Sequence, residues 1–192
     1  MTKIGILASY NGSGFIALHE ACENKILDAQ IAVVISNNSN ANCLNTSKQK
    51  NIKNYCINQK LYPNEDVDLK ILQTLKEEGC DYVFLSGYMK KIASCLTQYY
   101  ENKMVNSHPA LLPNFGGRGM YGRFVHEAVV EAKVDKTGVT VHFVNENYDE
   151  GEFILQKKIS VSPTESVDSV ENRVKDLEST AIVEAFEKLL VN

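Results

Sequence analysis

Short apolar runs alternate with segments of helical period along almost the whole chain, and that alternation restricts the fold more than any other feature. Lys3–Ser9, Ile31–Ile35, Tyr55–Ile57 and Tyr82–Leu85 read as strands bounded by turn clusters, and Lys103–Asn106 as a strand running into His108-Pro109. Between them lie helical patterns: Phe15, Leu18, His19 and Cys22 in the first, then Cys43–Gln49, Val67–Glu78 and Lys91–Tyr99. Val125–Lys133 follows as a helix, and Val139–Val144 is strongly β-forming. Phe153–Val161 alternates as an edge or antiparallel strand should, and Ser166–Leu190 is a long amphipathic helix. Strands alternating with helices imply βαβ units, hence an α/β fold with a mainly parallel twisted sheet flanked by helices. Crossovers in such a sheet are right-handed, and ligands sit beyond the C-terminal ends of its strands.

The chain has 192 residues, a length at which one domain of ~100–200 residues is the default. No internal repeat or Pro/Ser-rich linker divides it, so residues 1–192 read as a single domain with a change of texture near Pro113. Apolar residues make up 44% and charged residues 23%, which excludes general disorder. No apolar run approaches the ~18–20 residues of a membrane span. The start at Met1 runs directly into a strand pattern, without the apolar core and cleavage site of a signal peptide. A cytoplasmic protein, mature at Met1, is the expectation. The net charge of −4, from 20 basic and 24 acidic residues, argues against a dedicated nucleic-acid binder. Small anionic ligands remain open, because they need only a local positive site. Cys22, Cys43, Cys56, Cys80 and Cys95 form no C-x-x-C pair, so neither structural zinc nor a disulfide framework is expected. They read as buried or incidental thiols.

Two segments carry chemistry. The turn Asn11-Gly12-Ser13-Gly14 joins the first strand to the first helix. It reads equally well as a phosphate cradle on a helix N-terminus or as a tight turn with Ser13 as N-cap. It is not a G-x-G-x-x-G, since Ala17 stands where the third glycine would fall. The sharper signal is Asn106-Ser107-His108-Pro109-Ala110-Leu111-Leu112-Pro113. Residues two apart on a strand share a face, so the Asn106 amide and the His108 imidazole can address one reacting atom.

Asn106–Pro113 resembles the signature of the folate-dependent formyltransferases, and the similarity continues in order along the chain. Ser9–Gly14 looks like the phosphate turn of that family, and Ser86-Gly87-Tyr88-Met89 like its folate-side strand end. Val141-His142-Phe143-Val144 with Tyr148-Asp149-Glu150-Gly151 looks like its catalytic aspartate loop. Glu178, in the last helix, fits too. The resemblance implies a Rossmann-like formyltransferase fold and no metal. It also implies transfer of the formyl group of 10-formyltetrahydrofolate to the amine of 5-phosphoribosylglycinamide, a step of purine (IMP) biosynthesis. In that reading Asn106 and protonated His108 stabilise the developing oxyanion, and Asp149 raises the pKa of His108 and relays a proton. Gly12, Ser13 and Gly14 take the phosphate, although Gly14 stands where the family commonly has asparagine. Glu178 takes the ribose hydroxyls, with Lys175 nearby on the same helix face; that spacing also allows a plain surface ion pair.

For the folate the resemblance points to Leu85 and Tyr88 as apolar lining and to Met89, Lys90, Lys91 and Ile92 after them. Lys90 and Lys91 either attract a glutamate tail or form a solvated helix start. Asn106 and the loop Asn145, Glu146 to Asp149 complete this set, with Asn64 where the family often has an arginine. The glycine-rich stretch Gly116–Gly122 is expected to be a mobile flap, with Arg118 in reach of an anion. His142 is read as support for the Asp149 loop, and His19 and His126 as structural. The chain is shorter than relatives that carry a further nucleic-acid-binding or regulatory domain, and monomer and homodimer are both compatible with it. Two alternatives stay open: a non-catalytic phosphate-binding α/β module, and a folate-dependent formyl transferase with another amine acceptor.

Overall fold

Ile4, Ile6 and Leu7 are wholly removed from solvent, and the strand that carries them lies inside a seven-stranded sheet. The computed structural model describes residues 1–191. Its elements, in chain order, begin with β1 (Thr2–Ala8), α1 (Ser13–Glu23), β2 (Ala29–Ser36), α2 (Asn42–Gln49) and β3 (Lys53–Cys56). They continue with α3 (Val67–Glu77), β4 (Tyr82–Leu85), α4 (Ser94–Tyr99) and β5 (Met104–His108). They close with α5 (Arg123–Glu131), β6 (Lys136–Phe143), β7 (Phe153–Ser160) and α6 (Val167–Leu190). The strand order is β3-β2-β1-β4-β5-β6-β7, a mostly parallel sheet flanked by helices, as the alternation of patterns requires.

The chain separates into two compact units, Met1–Val105 and the residues from Asn106 onward. In the first, β1 pairs in parallel with β2 and β4, and β2 with β3. Unbroken burial over Ile4–Ala8 of β1 and Val33–Ser36 of β2 reflects a parallel sheet covered on both faces, which is why these stretches read as apolar runs. Helix α3 starts where the Asp66 carboxylate accepts from the Asp68 and Leu69 amides. Helix α4 starts at Ser94, three residues later than the pattern from Lys91 suggested. Ala93 is extended, and Ile92 is buried without being helical.

In the second unit, β6 and β7 pair antiparallel from Lys136↔Ser160 to His142↔Phe153. The register shifts between Val141 and His142, so the bulge falls beside the His142 imidazole. Strand β6 begins earlier than the sequence pattern marked, because Gly138 lets the Lys157 carbonyl approach to 1.9 Å from where a Cβ would stand. Helix α6 packs on β6, β7 and α5, and Ser166 caps it by accepting from the Ser169 amide. The buried Thr140 hydroxyl donates to the Ala110 carbonyl at 2.7 Å and accepts from the Leu112 amide at 3.0 Å. Gln156 Nε2 reaches both Thr140 Oγ1 and the Leu112 carbonyl at 2.9 Å. These bonds fasten the chain leaving β5 onto β6 and β7. The five cysteines are free thiols. Among the described residues no helix is long and apolar enough to cross a membrane.

Candidate active site

The last residues of β5 alternate faces, and the two faces have different partners. On one side the Asn106 amide nitrogen stands 3.2 Å from Nε2 of His142, which comes from β6. Nδ1 of His142 lies 2.8 Å from the Phe143 carbonyl. A carbonyl only accepts, so Nδ1 carries a hydrogen, and Nε2 is the ring nitrogen that faces the Asn106 amide. Asp149, in the loop after β6, faces two imidazoles. Its Oδ1 is 3.6 Å from His142 Nε2, and its Oδ2 is 3.6 Å from His108 Nδ1. The structure therefore brings Asn106, His108 and Asp149 into one cluster, with Asn106 joined through His142. Asp149 has a φ of 59°, in the left-handed region, which orients the carboxylate toward the strands.

His108 is 3% exposed, and its Nε2 lies 2.7 Å from the Phe115 carbonyl. That contact places a hydrogen on Nε2 and leaves Nδ1, the atom facing Asp149, as the position that gains or loses a proton. Burial pushes the His108 pKa down, and it outweighs the upward pull of the Asp149 carboxylate and the Phe115 carbonyl. Asp149 pulls the His108 pKa up as expected, but the net shift is downward, because the imidazolium loses more hydration than one carboxylate returns. Asp149 itself is held below the ordinary carboxylate value. Burial raises it, but the neighbouring His142 and His108 imidazoles and the Gly117 amide together outweigh burial.

The glycine-rich stretch contributes backbone to this cluster. Phe115, at a φ of 56°, aims its carbonyl at His108, and the Gly117 amide donates to Asp149 Oδ2 at 2.9 Å. A Cβ on Gly116 would come within 2.4 Å of Leu112 Cδ2 and 3.3 Å of Asp149 Cβ. The start of the expected flap is therefore a wall of the cluster. Arg118, farther along, is exposed. Asn145 and Glu146 are exposed in the loop after β6, where Asn145 Oδ1 accepts from the Asn147 amide and shapes the turn.

On the other face of β5, Ser107 Oγ donates to Oε1 of Glu178 in α6 at 2.5 Å. Burial raises the Glu178 pKa, and the Ser107 bond and Lys175 oppose that only in part. Lys175 is exposed and pairs with Glu171 at 2.6 Å. The Lys175–Glu178 ion pair that their spacing allows is not formed, because Glu171 lies one turn before Lys175 and is the nearer carboxylate.

In the first unit, Gly12 caps α1 in the left-handed conformation at a φ of 67°, and Ser13 is the first helical residue. Ser13 is exposed and makes no side-chain cap bond, which corrects its reading as an N-cap. Hydroxyl groups tie this turn to the segment after β4. Ser9 Oγ accepts from the Met89 amide at 2.8 Å and donates to Asn37 Oδ1 at 2.6 Å. Ser86 Oγ accepts from the Phe15 amide at 3.0 Å, so that helix-start donor is already engaged. Leu85 and Ile92 are buried, Tyr88 is half-buried, and Met89 is exposed. Burial pushes the Tyr88 phenol up to about 12. Lys90 and Lys91 are exposed and precede α4, so they are not a helix start. Asn64 is exposed in the turn leading to α3. Sequence reasoning placed Ser9, Ser86 and Ser107 in motifs without giving their side chains a role, and it missed the Phe115 and Gly117 backbone groups. Serine at a strand end was the one signal available for the first three.

Among the described residues no group of three or more His, Cys, Asp or Glu side chains is arranged to hold a metal. A formyl transferase family model matches residues 2–186. The chain is 36% identical over 179 residues to a phosphoribosylglycinamide formyltransferase of Haemophilus influenzae, covering 93% of this chain and 82% of that protein. It is 32% identical over 184 residues to a chloroplastic phosphoribosylglycinamide formyltransferase of Arabidopsis thaliana, covering 95% of this chain but only 63% of the plant protein's length. A crystal structure of glycinamide ribonucleotide transformylase 1 from Symbiobacterium toebii superimposes with a TM-score of 0.91 at 29% identity, over 100% of this chain and 88% of that one. With its sheet order, its β5 signature and a match that runs almost from end to end, the chain belongs to the formyl transferase family.

Proposed function

We propose that this chain transfers the formyl group of 10-formyltetrahydrofolate to the amine of 5-phosphoribosylglycinamide, giving formylglycinamide ribonucleotide and tetrahydrofolate in purine biosynthesis. The observation that carries this reading is the cluster in which His108 Nδ1 faces Asp149 while Asn106 is held on the same face of β5. A binding module has no need of an amide donor, a buried histidine and a carboxylate gathered around one strand end.

The amine attacks the formyl carbon as a neutral nucleophile. Negative charge develops on the formyl oxygen, where the Asn106 amide and His108 protonated at Nδ1 stabilise it more than they stabilise the bound reactants. One proton leaves the attacking nitrogen and one reaches N10 of the folate. His108 and Asp149 carry that exchange, and the depressed pKa of His108 makes its imidazolium a ready donor. In the first unit, the amides at Gly12, Ser13 and Gly14 favour the phosphate at the positive end of α1. The apolar Leu85, Tyr88 and Ile92 suit a pterin, and Lys90 and Lys91 suit its anionic tail. Glu178 takes ribose hydroxyls. Residues 1–192 act as one catalytic domain in the cytoplasm, as monomer or homodimer.

The test is a transfer assay with both substrates, following folate deformylation and formylated product together. Equimolar appearance of the two is expected. Deformylation without formylated acceptor, or no reaction from folded protein, overturns the proposal.

A further inference from the structure

We infer that Ser107 is a positioning residue that fixes the Glu178 carboxylate for the hydroxyls of the ribose. This rests on the reading of Glu178 as the ribose-binding group. Ser107 stands between Asn106 and His108 in sequence, yet the strand period sends its side chain to the opposite face. There its hydroxyl donates to Glu178 Oε1 at 2.5 Å. The bond holds the carboxylate by one oxygen, Oε1, and in the inferred arrangement Oε2 takes the ligand. A vicinal diol is donor-rich and is best met by an ionised carboxylate whose rotamer is already fixed.

Ser107 also favours the ionised form of Glu178. Burial pushes the Glu178 pKa up, and the Ser107 bond pulls it down. The charged group that bears on Glu178 is Lys175, on the same helix. On the elements packed against α6, Arg123 and His126 of α5 act on Glu171, and Lys157 of β7 pairs with Glu184. His142 of β6 faces Asp149. Against burial, the side chains that favour the ionised form of Glu178 are therefore Ser107 first and Lys175 second. One strand end thus serves two tasks, with formyl chemistry on the Asn106 and His108 face and substrate recognition on the Ser107 face.

The experiment compares Ser107→Ala, Ser107→Thr and Glu178→Gln by KM and kcat for each substrate across pH, with calorimetric binding of 5-phosphoribosylglycinamide alone. Ser107→Ala is expected to raise KM for that substrate about tenfold, the loss of one charge-assisted hydrogen bond, with the KM for folate little changed. The acid rise of KM should begin at higher pH than in the parent protein. Ser107→Thr, which keeps the hydroxyl, should restore both. Should the alanine variant not fold, Ser107→Cys, a weaker donor of similar size, gives the same readout with a smaller shift. If Glu178→Gln raises KM but the Ser107 variants leave the acid limb unmoved, the inference is overturned. If Glu178→Gln itself leaves KM unchanged, the reading of Glu178 fails instead.

Discussion

The Gly117 amide donates to Oδ2 of Asp149 over 2.9 Å, and that same oxygen stands 3.6 Å from Nδ1 of His108. One carboxylate oxygen thus answers both to the glycine-rich segment and to the imidazole. Asp149→Asn keeps an acceptor for Gly117 and removes the charge. The carboxylate is the main force raising a His108 pKa that burial lowers, so the variant's His108 must titrate lower still. NMR titration of the His108 ring should place the parent below the ordinary value near 6.5 and Asp149→Asn further down. The kcat of the variant should fall by about 10²–10⁴. A parent His108 titrating above 6.5 would contradict this account.

Glycines near the cluster separate activity from stability. A Cβ on Gly116 would meet the Leu112 side-chain tip at 2.4 Å and Asp149 Cβ at 3.3 Å. The leucine tip can move, but Asp149 is displaced in doing so. Gly116→Ala should cost only ~1 kcal/mol of stability and about tenfold or more in kcat. A Cβ on Gly151 would instead lie 1.7 Å from the Phe143 carbonyl oxygen, which is backbone. Gly151→Ala should cost ~3 kcal/mol, read from urea midpoints. Equal effects of the two on kcat and stability would refute the distinction.

What the sequence made legible was periodic. The runs around Ile4–Leu7 and Val33–Ile35 are buried on both sides and could hardly be anything but inner parallel strands. Asn106 and His108 were legible as one face because the strand period is two. Asp149 came only through the family pattern, since a turn acid carries no periodic signal. The sign of the His108 pKa was not legible, because it depends on how much water the fold removes. Nor were the Phe115 carbonyl and the Gly117 amide, which belong to every residue and acquire meaning only from backbone conformation. The Glu171 partner of Lys175 was not legible either, because helix spacing allows it as readily as Glu178.

Ser9 makes a prediction for the first unit. Its hydroxyl joins Asn37 Oδ1 and the Met89 amide, and its own amide donates to the Gly87 carbonyl at 3.2 Å. Ser9→Ala removes the acceptor of Met89 and the donor to Asn37 in a buried setting. The cost should be about 1–3 kcal/mol. The segment after β4 then loses its anchor to the turn before α1, and KM for the folate should rise severalfold. Unchanged folate KM with an unchanged urea midpoint would show that the tie is dispensable.

His126 supplies the last prediction. It is buried on α5, and its Nδ1 has no hydrogen-bond partner among the described residues. Burial lowers its pKa, with Lys175, Arg123 and His108 adding to that and Glu171 opposing it. A histidine whose folded pKa is depressed binds a proton more readily in the unfolded chain. Its contribution to stability is therefore complete above the unfolded value near 6.5 and is lost as pH falls toward the folded value. His108 adds to the same loss, while the raised pKa of Glu178 acts in the opposite sense nearer the carboxylate range. Comparing the parent with His126→Gln cancels both of those contributions. Gln is neutral at every pH, so urea midpoints of the two proteins should lie close together at pH 7.5, and the parent should fall more steeply between pH 6.5 and 5. Parallel pH dependences would mean that His126 takes up its proton in the folded state as easily as in the unfolded one.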